Sequence, residues 1–135
     1  MQAKGRCHCG AISYAVAGEP VYHALCHCSD CRRATGAPGV SWALFAREAV
    51  TIAGEPKAYA SSEQARRHFC GDCGTSLFYT NESVFPGQID IQSATLDDPG
   101  TLPLQCHIQT AERIVWMEHP QDLPQFERYP AGPEG

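Results

Sequence analysis

Seven of the eight cysteines fall into three tight groups: Cys7-His-Cys9, Cys26-His-Cys28-Ser-Asp-Cys31 and Cys70-Gly-Asp-Cys73. Thiolates this close in sequence can reach one cation without bending the rest of the fold around it. Sulfur-rich groups of this kind select zinc among the common metals. A tetrahedral four-sulfur site uses four of the seven and leaves three. Three protein ligands and one position kept for water or substrate is how a reactive zinc is built.

Cys70-Gly71-Asp72-Cys73-Gly74 reads as a zinc knuckle, a turn whose backbone amides point at its sulfurs and whose glycines tolerate positive φ. It needs two further ligands, and Cys7-His8-Cys9-Gly10 is the other pair of the chain. Cys7, Cys9, Cys70 and Cys73 together make a closed structural zinc site that staples distant segments. Cys26, Cys28 and Cys31 place three sulfurs on one six-residue loop. Its fourth corner is either external, which makes the site catalytic, or a side chain, for which Cys106, His107, His27 and His23 are the candidates. His8 and His27 stand between ligands, and chain geometry directs them away from the metal. Cys106, alone in sequence, reads as a small buried hydrophobe.

Three thiolates donate much charge, so a zinc they hold is a weak activator of water. Capturing a further thiol and keeping it as a nucleophile suits it better. That points to adding a thiol to an electrophilic carbon such as an aldehyde.

The elements that must position these groups are short. Ala11 to Ala17 alternates and stops at Gly18-Glu-Pro20, and Val21 to Leu25 runs into the second cysteine group. Ser29 reads as the cap of a short helix over Asp30 to Ala34 that ends at Gly36. Gly39 to Phe45 is an apolar strand with Trp42, and Val50 to Ala53 with Lys57 to Ala60 flank a hairpin-like turn. Arg66 to Phe69 leads into the third group and Ser76 to Tyr79 leads out, the strand–knuckle–strand pattern of a zinc hairpin. Gln88 to Ile91, Ile108 and Ile114 to Trp116 supply the remaining apolar strands. Ten prolines and twelve glycines spread along the chain fit an irregular all-β fold with short helical turns.

The chain of 135 residues reads as one domain over residues 1–129, with a turn-rich frayed tail over 130–135. A formal net charge of −5 makes nucleic acid and anionic membranes poor partners. Arg32-Arg33 and Arg66-Arg67, the local basic features, read as solvated surface, with a small-anion pocket as the alternative. There is no apolar run of membrane-spanning length and no secretory pattern at the start, so a reducing cytoplasm is expected, where this cysteine spacing means metal.

Taken together, Gly5-Arg-Cys7-His-Cys9-Gly10, Cys26-His-Cys28-Ser-Asp-Cys31-Arg32 and Phe69-Cys70-Gly-Asp-Cys73-Gly74-Thr75 resemble the glutathione-dependent formaldehyde-activating enzyme family, which includes the centromere protein V type domain. The resemblance continues through Ala94 to Pro99, His107-Ile108, Trp116 and Asp122 to Phe126. It implies a zinc-stabilised β fold of the β-tent type. It also implies that Cys7, Cys9, Cys70 and Cys73 hold a structural zinc and that Cys26, Cys28 and Cys31 hold a second, catalytic one. The namesake reaction joins formaldehyde to glutathione as S-hydroxymethylglutathione, carbon–sulfur chemistry classed with the lyases. His107 lies in a matching segment as a candidate for proton transfer, and Arg32, Arg33, Arg66 and Arg67 are candidates by charge for the glutathione carboxylates. The competing expectation is a non-catalytic binding module in which both zincs are structural.

Overall fold

A computed structural model describes residues 1–130. The strands are β1 (Gln2–Arg6), β2 (Ser13–Ala17), β3 (Tyr22–Cys26), β4 (Val40–Ala46), β5 (Val50–Ala53), β6 (Lys57–Ala60), β7 (Ala65–Phe69), β8 (Ser76–Asn81), β9 (Gln88–Gln92) and β10 (Cys106–Ile108), with one α-helix, α1 (Ser29–Thr35). They form a three-stranded sheet in the order β1-β2-β5 and a seven-stranded sheet in the order β10-β3-β4-β9-β8-β7-β6. Only β10 against β3 is parallel; the other pairings are antiparallel. The fold is all-β, as its turn-rich, alternating sequence requires.

Period-two alternation gives each sheet one apolar face, and the two faces close on each other. Tyr14, Val16 and Val50 from the small sheet meet Ala43, Phe45, Phe78, Ile89 and Ile91 from the large one in a single buried cluster. Tyr14 and Phe78 pack edge to face with centroids 5.4 Å apart. Gly5 makes the approach possible: a Cβ there would lie 2.2 Å from Tyr14 Oη.

The opposite face of the large sheet carries a second, smaller cluster of Cys26, Cys31, Val40 and Trp42. Residues directly opposed across a ladder share a face. The register Tyr22–Leu44–Asp90–Tyr79–Arg67 runs across β3, β4, β9, β8 and β7. Two rows along the same face, past Ala24 and Trp42, Ile108, Cys26 and Val40 line up across β10, β3 and β4. α1 lies against this face through buried Cys31.

Several local expectations change. Val50 to Ala53 and Lys57 to Ala60 do not form a hairpin, because β5 pairs β2 and β6 pairs β7, on different sheets. The helix is capped at Cys28, and Ser29 is its first residue, its hydroxyl donating to Glu112. Gly36 ends it at φ 73°. The segment around Ile114 to Trp116 is a 3-10 turn over Val115–Met117, with Val115 and Trp116 exposed. β1 is a strand that the sequence reading did not find; its single buried residue, Gly5, offers no alternation to detect. Most of the expected frayed tail lies outside the described residues. No described helix is long and apolar enough to cross a membrane.

Candidate metal centre and the adjoining cavity

Two knuckles meet where the sheets join at one end. The first follows β1, and the Ile12 and Ala11 amides donate to Cys7 Sγ and Cys9 Sγ at 3.3 and 3.5 Å. The second follows β7, and the Asp72 and Cys73 amides donate to Cys70 Sγ at 3.4 and 3.5 Å. Such N–H···S bonds favour the thiolate over the thiol. Gly10 (φ 83°) and Gly74 (φ 80°) supply the left-handed backbone that ends each turn. Gly71 is not at positive φ; a Cβ there would meet the Lys57 side chain at 2.9 Å. Thr75 ties the knuckles together, accepting from the His8 amide at 3.0 Å and lying 3.2 Å from Cys73 Sγ. The Thr75 hydroxyl, and then its amide, hold the Cys73 thiol down to about 5.

The sulfurs of Cys7, Cys9, Cys70 and Cys73 all lie within 4.8 Å of one another. Cys7–Cys9 and Cys9–Cys70 are each 3.7 Å apart. A tetrahedral zinc with bonds of about 2.3 Å sets its sulfurs about 3.8 Å apart, so the donor set and the spacing fit that ion. Among the described residues this is the sole group of three or more metal-binding side chains gathered so closely.

The loop of three cysteines is organised differently. The Cys26 thiol donates to Cys31 Sγ at 3.9 Å, while the Cys28 sulfur stands outside any such tight group. All three line a cavity of about 250 Å³ on the outer face of the large sheet. Its walls include Tyr22, Trp42, Tyr79, Val84, Phe85 and Ile108, with Arg67 and Asp90 among the polar members. Larger hollows of about 480 and 610 Å³ lie over β1–β2 and near Arg47, His68 and Glu82, away from every thiol.

Arg67 is buried on β7 and presents both terminal nitrogens to Cys31 Sγ at 3.8 Å. Its guanidinium also covers the Tyr79 ring, 4.9 Å from the centroid. The hydrogen bond from Cys26 first, and then the Arg67 charge, hold the Cys31 thiol down to about 6 against its burial. Cys26, as the donor, is pushed up. Asp90, 4% exposed, has an Oδ1 with no hydrogen-bond partner. Burial, and then the negative charge at Cys31, push its carboxyl up to about 7.

The other singled-out residues lie as follows. His23 points to the opposite face, with Nε2 2.7 Å from Ser93 Oγ and Nδ1 3.0 Å from the Pro103 carbonyl, so neither nitrogen is free to ligate. His27 is fully buried and stacks on exposed His107, Nε2 to Nδ1 at 3.0 Å. Neither ring lines the cavity. Burial, aided by Arg113 and His107, keeps the His27 pKa low. Cys106 is exposed on edge strand β10, contrary to the expected buried position. His8 is exposed, as is Arg33. Arg66 is occupied by the backbone carbonyls of Ser62, Glu63 and Ala65.

Arg67 is therefore not solvated surface but a cavity residue whose partner is Cys31, and Asp90 is a polar cavity residue that sequence reasoning passed over. A signal existed for Asp90. In Gln88-Ile-Asp-Ile-Gln92 a carboxylate occupies the centre of a strand flanked by isoleucines, an expensive position unless a polar site faces it.

The profile described as glutathione-dependent formaldehyde-activating enzyme matches residues 2–112. A Schizosaccharomyces pombe protein described as an uncharacterized lyase is 35% identical over 80 residues. That match covers 58% of this chain and 58% of the relative, so this chain spans less than two thirds of the relative's length. A Halomonas elongata protein, provisionally named a glutathione-dependent formaldehyde-activating enzyme, is 29% identical over 132 residues, covering 87% of this chain and 81% of that one. A crystal structure of a Rhodobacter sphaeroides protein superposes with a TM-score of 0.60 at 25% identity, covering 77% of this chain and 98% of the other. With four sulfurs drawn together, three more facing a cavity, and a profile match over most of its length, the chain belongs to the glutathione-dependent formaldehyde-activating enzyme family.

Proposed function

We propose that this protein is a cytoplasmic, zinc-dependent carbon–sulfur lyase-type enzyme that joins a thiol, glutathione, to a small aldehyde such as formaldehyde. The observation that carries this reading is the division of labour among the sulfurs. Four close a cluster between the sheets, and Cys26, Cys28 and Cys31 are exposed to a cavity. A zinc ion held by those three thiolates would supply a position at which an incoming thiol is kept as a nucleophile. The chain's own residues prepare the rest. Arg67, itself buried, compensates the negative charge gathered at Cys31. Asp90, on the cavity wall with its carboxyl pushed up to about 7, would exchange a proton with the oxygen of the adduct.

The test is spectroscopic. In cobalt-substituted protein, millimolar glutathione is expected to change the ligand-field and thiolate charge-transfer bands. Cys28→Ser is expected to remove both that response and turnover while leaving the four-cysteine cobalt spectrum in place. Unchanged bands at millimolar glutathione would favour a binding module with two structural metals.

A further inference from the structure

Several features of the cavity speak about what enters it beyond the reacting sulfur. Its volume of about 250 Å³ compares with about 30 Å³ for a liquid water. Formaldehyde has two heavy atoms and would leave most of that space to water against indole, phenol and phenyl surfaces. The apolar walls are built of two aromatic pairs and two aliphatic side chains. Trp42 and Tyr79 have ring centroids 6.0 Å apart, Tyr22 and Phe85 meet edge to face at 6.5 Å, and Val84 and Ile108 complete the lining.

Glutathione does not account for this lining. Its ends are two carboxylates and an ammonium group. Arg67 is the one cation in the wall, and both its terminal nitrogens are directed at Cys31. Asp30 adds negative charge there, which repels further carboxylates. The tripeptide can present its sulfur to the cysteine loop with its charged ends outside, which leaves the aromatic surface for the other reactant.

We infer that the electrophile this site prefers is an aldehyde bearing an apolar or aromatic group, seated among Trp42, Tyr79, Tyr22 and Phe85, rather than formaldehyde. The inference rests on the thiol–aldehyde reading above and names its substrate class. The reaction is an addition. The thiol sulfur forms a bond to the carbonyl carbon, the carbon–oxygen π bond breaks, and the thiol hydrogen ends on that oxygen. Nothing is oxidised or reduced and no group leaves. Asp90, whose Oδ1 is otherwise unpartnered, is the polar wall residue available to the new hydroxyl while the apolar group stays among the rings.

Two measurements on zinc-loaded protein test this. The first needs no chemistry. Trp42 lines the cavity and is 3% exposed, whereas Trp116 is 60% exposed, so Trp116→Phe leaves Trp42 as the single reporter. Benzyl alcohol, an unreactive stand-in, is expected to change Trp42 emission saturably, and Val84→Tyr at the exposed rim is expected to weaken that response. The second follows exchange between glutathione and its adduct by NMR with phenylacetaldehyde and with formaldehyde. The expected kcat/KM, relative to the spontaneous reaction, is at least about tenfold higher for phenylacetaldehyde. Val84→Tyr should lower that value several-fold while changing the formaldehyde value less. An unresponsive Trp42, or a preference for formaldehyde, overturns the inference and leaves the thiol–aldehyde function standing. Acceleration of neither aldehyde overturns the function itself, and the substrate assignment falls with it.

Discussion

The two groups of thiols are built from opposite materials. Cys7, Cys9, Cys70 and Cys73 come from turns more than sixty residues apart, as the Cys9–Cys70 contact shows, and backbone amides point at their sulfurs. Cys26, Cys28 and Cys31 come from one short stretch, the end of β3, the helix cap and the first turn of α1, and side chains from other strands supply their surroundings. Backbone donors are fixed by the fold and hold a cluster rigidly. Side-chain donors such as Arg67 act without being part of the chain trace, so they are free to serve chemistry. The first arrangement joins two sheets; the second decorates the outer face of one.

The sharpest way to break this contrast is to remove one sulfur from each group. Cys70→Ser takes a buried thiol from the seam, where a structural zinc would contribute about 10 kcal/mol or more of folding free energy at neutral pH. That exceeds the stability of many domains of this size, so the variant is expected to be unfolded or molten, with lost near-ultraviolet circular dichroism. Cys31→Ser is nearly isosteric and leaves the two-sheet core intact. It is expected to lower Tm by only a few degrees while abolishing turnover and half of the bound zinc. Equal loss of Tm in the two variants would mean that both groups are structural.

A smaller effect tests whether the side-chain surroundings matter at all. Arg67→Lys keeps the charge and loses the fork that reaches Cys31 with two nitrogens. A loss of about tenfold to a hundredfold in kcat/KM is expected with little change in Tm. In protein that keeps the four-cysteine metal but has the three-cysteine site emptied, the pH midpoint for alkylation of Cys31 should move upward, since the guanidinium helps hold that thiol near 6. An unmoved midpoint would show that Cys26 alone sets the Cys31 acidity.

The contrast also explains what could be read from the chain. The two knuckles that gather four sulfurs were legible because Cys-x-Cys-Gly and Cys-x-x-Cys-Gly are local patterns whose geometry is set within five residues. Strand alternation marked β2 and β9, and an apolar run marked β4, for the same reason. Arg67 and Asp90 were not legible as partners, because their shared face depends on the register across β7, β8 and β9. The hairpin expected over Val50 to Ala60 failed similarly. A turn of Gly-Glu-Pro looks the same whether the strands pair or part to different sheets, and only the burial of Val50 against Tyr14 and Val16 decides it. Cys106 misled because burial statistics for cysteine say nothing about an edge strand.

The finest test concerns Asp90, which the fold keeps buried on the cavity face without a partner for Oδ1. Its folded value of about 7 stands above the ordinary 3.8, chiefly through burial. The folded state therefore holds a proton that the unfolded chain has already released. Stability from this group is present at low pH and is lost as pH rises through that window, levelling off above about 7. Asp90→Asn is neutral at every pH and escapes the loss. Across about one unit from pH 6 to the folded value, the variant is expected to gain about 1 kcal/mol on the native protein, read by urea unfolding at about pH 6 and pH 8. Both measurements stay above the range where thiol protonation would release metal. A gap between variant and native protein that stays flat or shrinks toward alkaline pH would mean that the carboxylate finds a cation in the cavity, and the polar balance between Arg67 and the three-cysteine loop would then have to be redrawn.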